Sequence, residues 1–333
     1  MSKVNKNPLV TAIVLNWNGM SIKYEGKPIL ELCLSTLTKT DYDNLKVVMI
    51  DPNSSDNSVS HVKKKYPKID IINEKDISLS YETNMAIKYI SRKYPKTKYI
   101  LWLNNDLIFQ KKDWLSKMVA TAEANNQVGI VGCKLIYPNG NIQHGGMNIG
   151  VTAANRGRGS RDTGIYDKVE EVQGVTGAVM LIRKTAMDKV GLFDERFCFG
   201  CEDVDYCIRM RKAGYKIVYF GMSHVVHLEG FTTSQVASKS KKFTNFYNAQ
   251  INYIYYALKH HGPIGRAQAI GIELLSSAIS IEGMNRKRSI TSIRLKDNLP
   301  KRIKASVNAI PTGYKLYKHY KKHMSTNYND RMD

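Results

Sequence analysis

Five short polar clusters carry the residue types that chemistry needs. Leu15-Asn16-Trp17-Asn18 follows an apolar run, where an aromatic can stack on a base or simply fill a core. Asp51-Pro52-Asn53-Ser54-Ser55-Asp56-Asn57-Ser58 offers a carboxylate able to accept hydrogen bonds from a base or ribose. The same residue types cap helices, so Asp51 suits a ligand while Asp56 or Ser58 suits a cap. Asn104-Asn105-Asp106 presents one carboxylate and two amides. Such a set fits a turn, or a hard divalent cation, Mg²⁺ or Mn²⁺, that shares oxygen ligands with substrate phosphates. In Glu202-Asp203-Val204-Asp205 the acids favour a helix N-terminus, or one of them serves as a general base. His224-Val225-Val226-His227 holds two histidines able to act as ligands or to sit in a core.

These clusters need regular elements to hold them. Leu9–Trp17, Leu45–Ile50, Ile69–Ile72, Lys98–Leu103 and Val128–Cys133 are apolar, β-branched runs that predict strands. Between them, Ile29–Thr38, Val59–Tyr66, Glu82–Tyr94 and Trp114–Ala124 show helical apolar spacing. The alternation predicts that the first half is a parallel, doubly wound α/β sheet, within a mostly parallel sheet flanked by helices overall, with ligands beyond the carboxyl ends of its strands, where the first three clusters fall. Ile136–Asp167, rich in Gly and Asn, predicts long loops or short strands. Val175–Ile182 reads as a strand, and Glu202–Ala213 and Phe243–Lys259 read as helices. Beyond Gly262, Ala269–Ile281 suits an apolar helix, and Ile290–Met324 suits amphipathic pieces interrupted by Pro300 and Pro311. The secondary structure of the histidine pair is open.

The 333 residues are 43% hydrophobic and 24% charged, an ordinary globular composition, but the net charge of +21 is not ordinary. From Phe231 to Asp333 there are 18 Lys and Arg against 5 Asp and Glu, a net of +13. Such a field implies an acidic partner: nucleic acid, anionic lipid or a phosphorylated ligand. Five cysteines argue against a disulfide framework and for a reducing compartment. Cys198-x-x-Cys201 with Cys207 lacks a clear fourth ligand for zinc. MSKVNKNPLV lacks the apolar core of a signal peptide, and no apolar run reaches the length of a membrane span. The expectation is a cytoplasmic protein, at most peripheral on the inner face of a membrane.

Taken in order, the clusters resemble a family 2 glycosyltransferase with the GT-A fold, of the rhamnosyltransferase-like type, from about Leu9 to about Lys259. The most specific stretch is GVTGAVMLIRKTAMDKVGLFDERFCFGCEDVDYCIRMRKAGYKI followed by HVVHLEG. IVLNWNG, IDPNSSDNS and LWLNNDL match the strand-end motifs of the same family. The resemblance implies a catalytic unit over residues 1–260, with a donor half to about 135 and an acceptor half from 136. A basic, mainly helical extension over 261–333 follows. It further implies that Asn16, Trp17 and Asp51 hold the base and ribose, with Asn84, Asn104 and Asn105 near the donor. Asp106 and His227 would be metal ligands for Mn²⁺ or Mg²⁺. Thr176 and Gly177 would border the acceptor, and Asp203, beside Glu202, would be the base of an inverting transfer. The implied donor is a UDP-, GDP- or dTDP-linked sugar, and the acceptor a glycan or lipid-linked glycan.

The sequence departs from the family pattern at three places. The metal motif has a single carboxylate, Pro52 follows Asp51, and Ser78-Leu79-Ser80-Tyr81 stands where a glycine-rich turn is common. These leave the donor's sugar and base open. A nucleic-acid-binding protein is the rival that the charge suggests. The positive charge is concentrated outside the motif-bearing sheet and no nucleic-acid motif is present, so no nucleic acid is expected. An inactive sugar-nucleotide binder is opposed by the joint presence of Asp106, Asp203 and His227. Lys301-Arg302-Ile303-Lys304 and Lys315 to Lys322 alternate cations with apolar residues, as a solvated face does, or a helix lying on an anionic membrane.

Overall fold

The computed structural model describes residues 7–75, 78–198, 200–229, 239–278 and 299–323. Its first half runs β1 (Val10–Leu15), β2 (Lys23–Tyr24), β3 (Lys27–Pro28), α1 (Ile29–Leu37), β4 (Leu45–Asp51), α2 (Ser58–Lys65), β5 (Asp70–Asn73), α3 (Leu79–Lys93), β6 (Tyr99–Asn104), β7 (Leu107–Ile108), α4 (Trp114–Glu123) and β8 (Val128–Ile136). The second half continues β9 (Ile142–His144), β10 (Met147–Ile149), β11 (Ala153–Asn155), β12 (Val169–Glu171), β13 (Val179–Arg183), α5 (Lys184–Val190), α6 (Glu202–Lys212) and β14 (Lys216–His227). Three helices follow: α7 (Lys239–His260), α8 (Pro263–Ala278) and α9 (Leu299–His323).

The main sheet has the order β12-β14-β8-β13-β6-β1-β4-β5. The strands β1, β4, β5 and β6 are parallel, as the βαβ alternation requires. Their register matters for the site: Leu15 lies opposite both Ile50 and Asn104. The residues just past those positions, Asn16, Asp51 and Asn105, therefore emerge side by side. The second half departs from a purely parallel sheet, because β13 runs antiparallel to both β6 and β8. The sheet is mixed, with β14 parallel to β8 and antiparallel to β7, where His227 lies opposite Leu107. The β14–β8 pairing shifts register between Phe220 and His224, a bulge that lets the long strand swing its end toward β7.

Alternation along each strand builds a core on both faces. Val10, Ala12 and Val14 of β1 pack with Leu30 and Leu34 of α1 and Met118 of α4. Ile13 and Leu15 face the other way, into a core with Ile87 and Ile90 of α3, Met187 of α5 and Met210 of α6. A third core joins Phe197, Cys201 and Val204 to Ile254 and Tyr255 of α7, Ala269 of α8, and Ala309 and Tyr317 of α9.

The C-terminal region differs from expectation at Pro311. One helix, α9, runs through it, with the ring exposed. Two residues on, Gly313 lets α9 cross α7 closely, since a Cβ there would lie 2.7 Å from Ile254. The outer side of α9 exposes Lys304, Val307, Tyr314, Lys315 and Lys318. Residues 279–298, which include part of both sequence-predicted C-terminal segments, lie outside the described residues. No helix among the described residues is long and apolar enough to cross a membrane.

Candidate active site

The aligned ends of β1, β4 and β6 are tied together by side chains. The Asn105 amide donates to Asn16 Oδ1 at 2.7 Å, and Asn16 Nδ2 donates to Asp51 Oδ2 at 2.7 Å. Ser54 completes the cage: its backbone N–H donates to Asp51 Oδ1 at 2.7 Å and its hydroxyl to Oδ2 at 2.8 Å. Gly19 permits this, because a Cβ there would lie 2.4 Å from Asn16 Oδ1 and 2.8 Å from Asn105 Nδ2. Asp51 is buried with three internal donors, so in this conformation it acts first as the knot of the strand ends. Trp17, one residue past the tied Asn16, is half-buried. Asp56, rather than Ser58, serves the start of α2, accepting from Ser58 N and from Met20 N and Ser21 N.

Asn84 has another task than the one expected. Its Nδ2 donates to Phe193 O and Glu195 Oε1, and its Oδ1 accepts from Phe193 N, each at 2.9 Å. Both amide hydrogens and one acceptor site are engaged in clamping α3 to the Phe193–Glu195 loop.

At the end of β6, Asp106 Oδ1 lies 3.0 Å from His227 Nε2, and Asn104 Nδ2 lies 3.4 Å from the same nitrogen. The carboxylate and the ring approach without the alignment of a hydrogen bond, so Asp106 Oδ1 is buried with no hydrogen-bond partner among the described residues. Burial alone would push the His227 imidazole down, but the Asp106 carboxylate outweighs it and holds the ring above its ordinary value. The pair is thus a place that favours positive charge. His224, three positions earlier on a strand, faces the opposite way and reaches Gln110 Oε1 at 2.9 Å.

Among the described residues, no group of three or more His, Cys, Asp and Glu side chains is gathered for a metal ion. Asp106 and His227 nevertheless fit a shared cation. Mg²⁺ and Mn²⁺ accept one or two protein ligands when phosphate and water complete the shell. Two adjacent ligands at about 2.1 Å from an octahedral ion stand about 3 Å apart, as these atoms do.

The third cluster sits on the neighbouring strand. Val175 to Ala178, expected as the start of a strand, instead form the turn leading into β13. Gly177 N donates to Asp203 Oδ2 at 2.9 Å, Val204 N donates to Oδ1 at 2.8 Å, and the Thr176 hydroxyl binds the same carboxylate. A side chain at Gly177 would collide with Trp102, its Cβ only 2.4 Å from the indole. Asn104 N donates to Ala178 O at 3.1 Å, which brings this turn to the strand end that carries Asp106. Burial raises the Asp203 carboxyl above the ordinary value, tempered by those three hydrogen bonds. Glu202 is pushed up to about 8 by burial and then by the neighbouring Asp203, and its Oε2 is buried with no hydrogen-bond partner among the described residues.

The last acid of the cluster does something else. Asp205 is fully buried in an ionic group reaching α7: Lys259 Nζ lies 2.6 Å from both Asp205 Oδ1 and Asp194 Oδ2. His260 Nε2 and Arg209 Nε each lie 2.8 Å from Asp205, and Tyr255 donates to Asp194 at 2.7 Å. Burial opposes ionisation of Asp205, yet Lys259, Arg209 and His260 hold it well below the usual carboxylate range. Sequence reasoning missed Ser54, Gln143, Lys259 and His260. Only Ser54 had a local signal, its place inside the Asp51 turn.

Comparison with known proteins agrees with this architecture. The chain is 26% identical over 221 residues to the O-antigen biosynthesis protein RfbC of Myxococcus xanthus, covering 62% of the chain but only 17% of that relative. It is 24% identical over 276 residues to the N-acetylglucosaminyl-diphospho-decaprenol L-rhamnosyltransferase of Mycobacterium tuberculosis H37Rv, covering 73% of the chain and 84% of the relative. The structure of GalNAc-T7 with UDP, GalNAc and Mn²⁺ superposes with a TM-score of 0.53 at 14% identity, over 78% of this chain and 55% of that one. The fold is that of GT-A glycosyltransferases. Residues 8–248 match the sequence model of the family described as Glycosyltransferase like family 2, and the chain belongs to that family.

Proposed function

We propose that this chain is an inverting, metal-dependent sugar transferase that uses a nucleotide-diphosphate sugar. The observation that carries the reading is the half-buried Asp203 carboxylate, held by the Thr176–Gly177 turn next to the strand end of Asn104 and Asp106. An acceptor hydroxyl at that turn loses its proton to Asp203 while its oxygen bonds to the anomeric carbon. The bond from that carbon to the diphosphate oxygen breaks, and a nucleoside diphosphate leaves. One displacement inverts the anomeric centre, and a raised carboxyl is a stronger base than an exposed aspartate. Asp106 and His227 would hold the cation, which when bound neutralises charge on the leaving diphosphate. Asn16, Trp17, Asp51 and Asn105 would form the floor beneath the nucleotide, with Asn84 supporting the site from behind.

The donor class is tested by thermal shift with UDP-, GDP- and dTDP-sugars, each with Mn²⁺ or Mg²⁺. A ligand that binds the native state raises stability by mass action, by about 2.7 kcal/mol at a hundred times its dissociation constant. One nucleotide should raise the melting temperature in a metal-dependent manner, and Asp106→Ala should abolish that dependence. An Asp106→Ala protein with an unchanged metal-dependent shift overturns the assignment.

The acceptor we propose is a lipid-linked glycan, as the name of the mycobacterial relative suggests. The exposed Lys304, Val307, Tyr314, Lys315 and Lys318 on α9 suit an anionic bilayer surface, with cations over headgroups and Val and Tyr at the boundary. Co-sedimentation with anionic vesicles should be strong at low salt and fall as salt rises. It should fall likewise when Lys304, Lys315 and Lys318 become glutamate. Equal sedimentation of the substituted protein removes α9 as the contact.

A further inference from the structure

We infer that Gln143 is a positioning residue that fixes which nitrogen of His227 faces Asp106. It lies on β9, 2% exposed, and nothing in its sequence neighbourhood marks it. Its side chain makes two contacts with one residue. Gln143 Nε2 donates to the His227 backbone carbonyl at 3.3 Å, and Gln143 Oε1 lies 2.6 Å from His227 Nδ1.

The chemistry of those partners leaves one arrangement. A carbonyl oxygen only accepts, so the amide group facing it is the NH₂. The amide oxygen then faces Nδ1, which must carry the hydrogen. In the neutral ring the lone pair is left on Nε2, 3.0 Å from Asp106 Oδ1. A lone pair beside a carboxylate is repulsive unless something positive lies between them. With the ring proton held on Nδ1 by Gln143, the Nε2 lone pair faces the Asn104 amide at 3.4 Å and, with Asp106 Oδ1, suits a cation. Outer partners of this kind orient a ligating imidazole and raise its basicity, and losing one typically weakens metal affinity about 10–100-fold.

β9 is fixed for this task by pairing with β8, where His144 lies opposite Leu135 and Ile142 opposite Ile136. Gln143 thereby projects to the end of β14 that carries His227. The short strand in the Gly- and Asn-rich stretch thus has a function of its own.

This inference rests on the reading of Asp106 and His227 as ligands, and the test separates the two. Free Mn²⁺ is followed by electron paramagnetic resonance as it is titrated into the full chain. His227→Ala should weaken binding, and Gln143→Leu should weaken it about 10–100-fold, as loss of an orienting partner does. The double variant should be no weaker than His227→Ala, because the two residues act as one unit. Gln143→Glu, which keeps an oxygen toward Nδ1, should restore most of the affinity. Metal-free melting temperatures of both Gln143 variants should fall only by the few degrees that a lost buried hydrogen bond costs, with a single cooperative transition kept, which excludes a general loss of fold. Wild-type Mn²⁺ binding by Gln143→Leu, alongside weakened His227→Ala, overturns the inference alone. Gln143→Glu as weak as Gln143→Leu overturns it too, and undiminished binding by His227→Ala overturns the metal reading itself.

Discussion

Asp203→Asn is expected to lower kcat for sugar transfer by about 10²–10⁴-fold, the range contributed by a positioned general base, while the sugar nucleotide still binds. The geometry sharpens this expectation. Both Asp203 oxygens accept backbone N–H groups, one from Gly177 and one from Val204. An asparagine has a single oxygen, so one of those N–H groups faces an NH₂ and loses its partner, a cost of about 1–3 kcal/mol. The variant will therefore melt earlier as well as turn over slowly. The informative combination is donor binding retained with turnover lost, measured by calorimetry and by product formation on one preparation. Full transfer by Asp203→Asn removes the residue from the role of base.

Transfer is expected to depend on pH. The proposed base must be ionised, and burial holds both Asp203 and Glu202 above ordinary carboxyl values, Glu202 at about 8. Transfer should therefore decline as pH falls through a range well above that of an exposed aspartate. The two acids adjoin and titrate as a pair, so the limb belongs to both.

Lys259→Met is expected to destabilise the folded chain by about 3–5 kcal/mol, the effect of removing one partner from a buried ion pair. Its ammonium is buried between Asp194 and Asp205, and both are themselves buried. Without it, two carboxylates face a low dielectric with, among the described residues, Arg209, Arg196, His260 and Tyr255 as support. Chemical denaturation of the full chain gives the number. A variant as stable as the unsubstituted protein would mean that the remaining cations compensate. Folded-state Asp205 is depressed, so its contribution is present above the ordinary aspartate value and is lost as pH falls below it.

Much of the donor half was legible because its signals are local. Apolar runs such as LKVVMI end at polar turns, and parallel register then aligns Asn16, Asp51 and Asn105. The acid and histidine motifs were legible through their order along the chain. What stayed hidden depends on long-range pairing. Nothing near Val179 announces that β13 runs against its neighbours. Asn84 looks like a donor ligand until the Phe193 loop, 109 residues away, takes up its amide. Gln143 and His227 are 84 residues apart, and Lys259 meets Asp194 across 65. Pro311 argued for a break, but on an exposed face a missing N–H costs less than losing the packing of α9 on α7.

The ionic group around Lys259 also sets a clock for biosynthesis. A ribosome adding about 5–20 residues per second completes Asp194 and Asp205 several seconds before it reaches Lys259 and His260. Through that interval the growing chain carries two acids with no lysine to meet. Until α7 is made, Asp194 and Asp205 lack the lysine that lies between them in the folded chain.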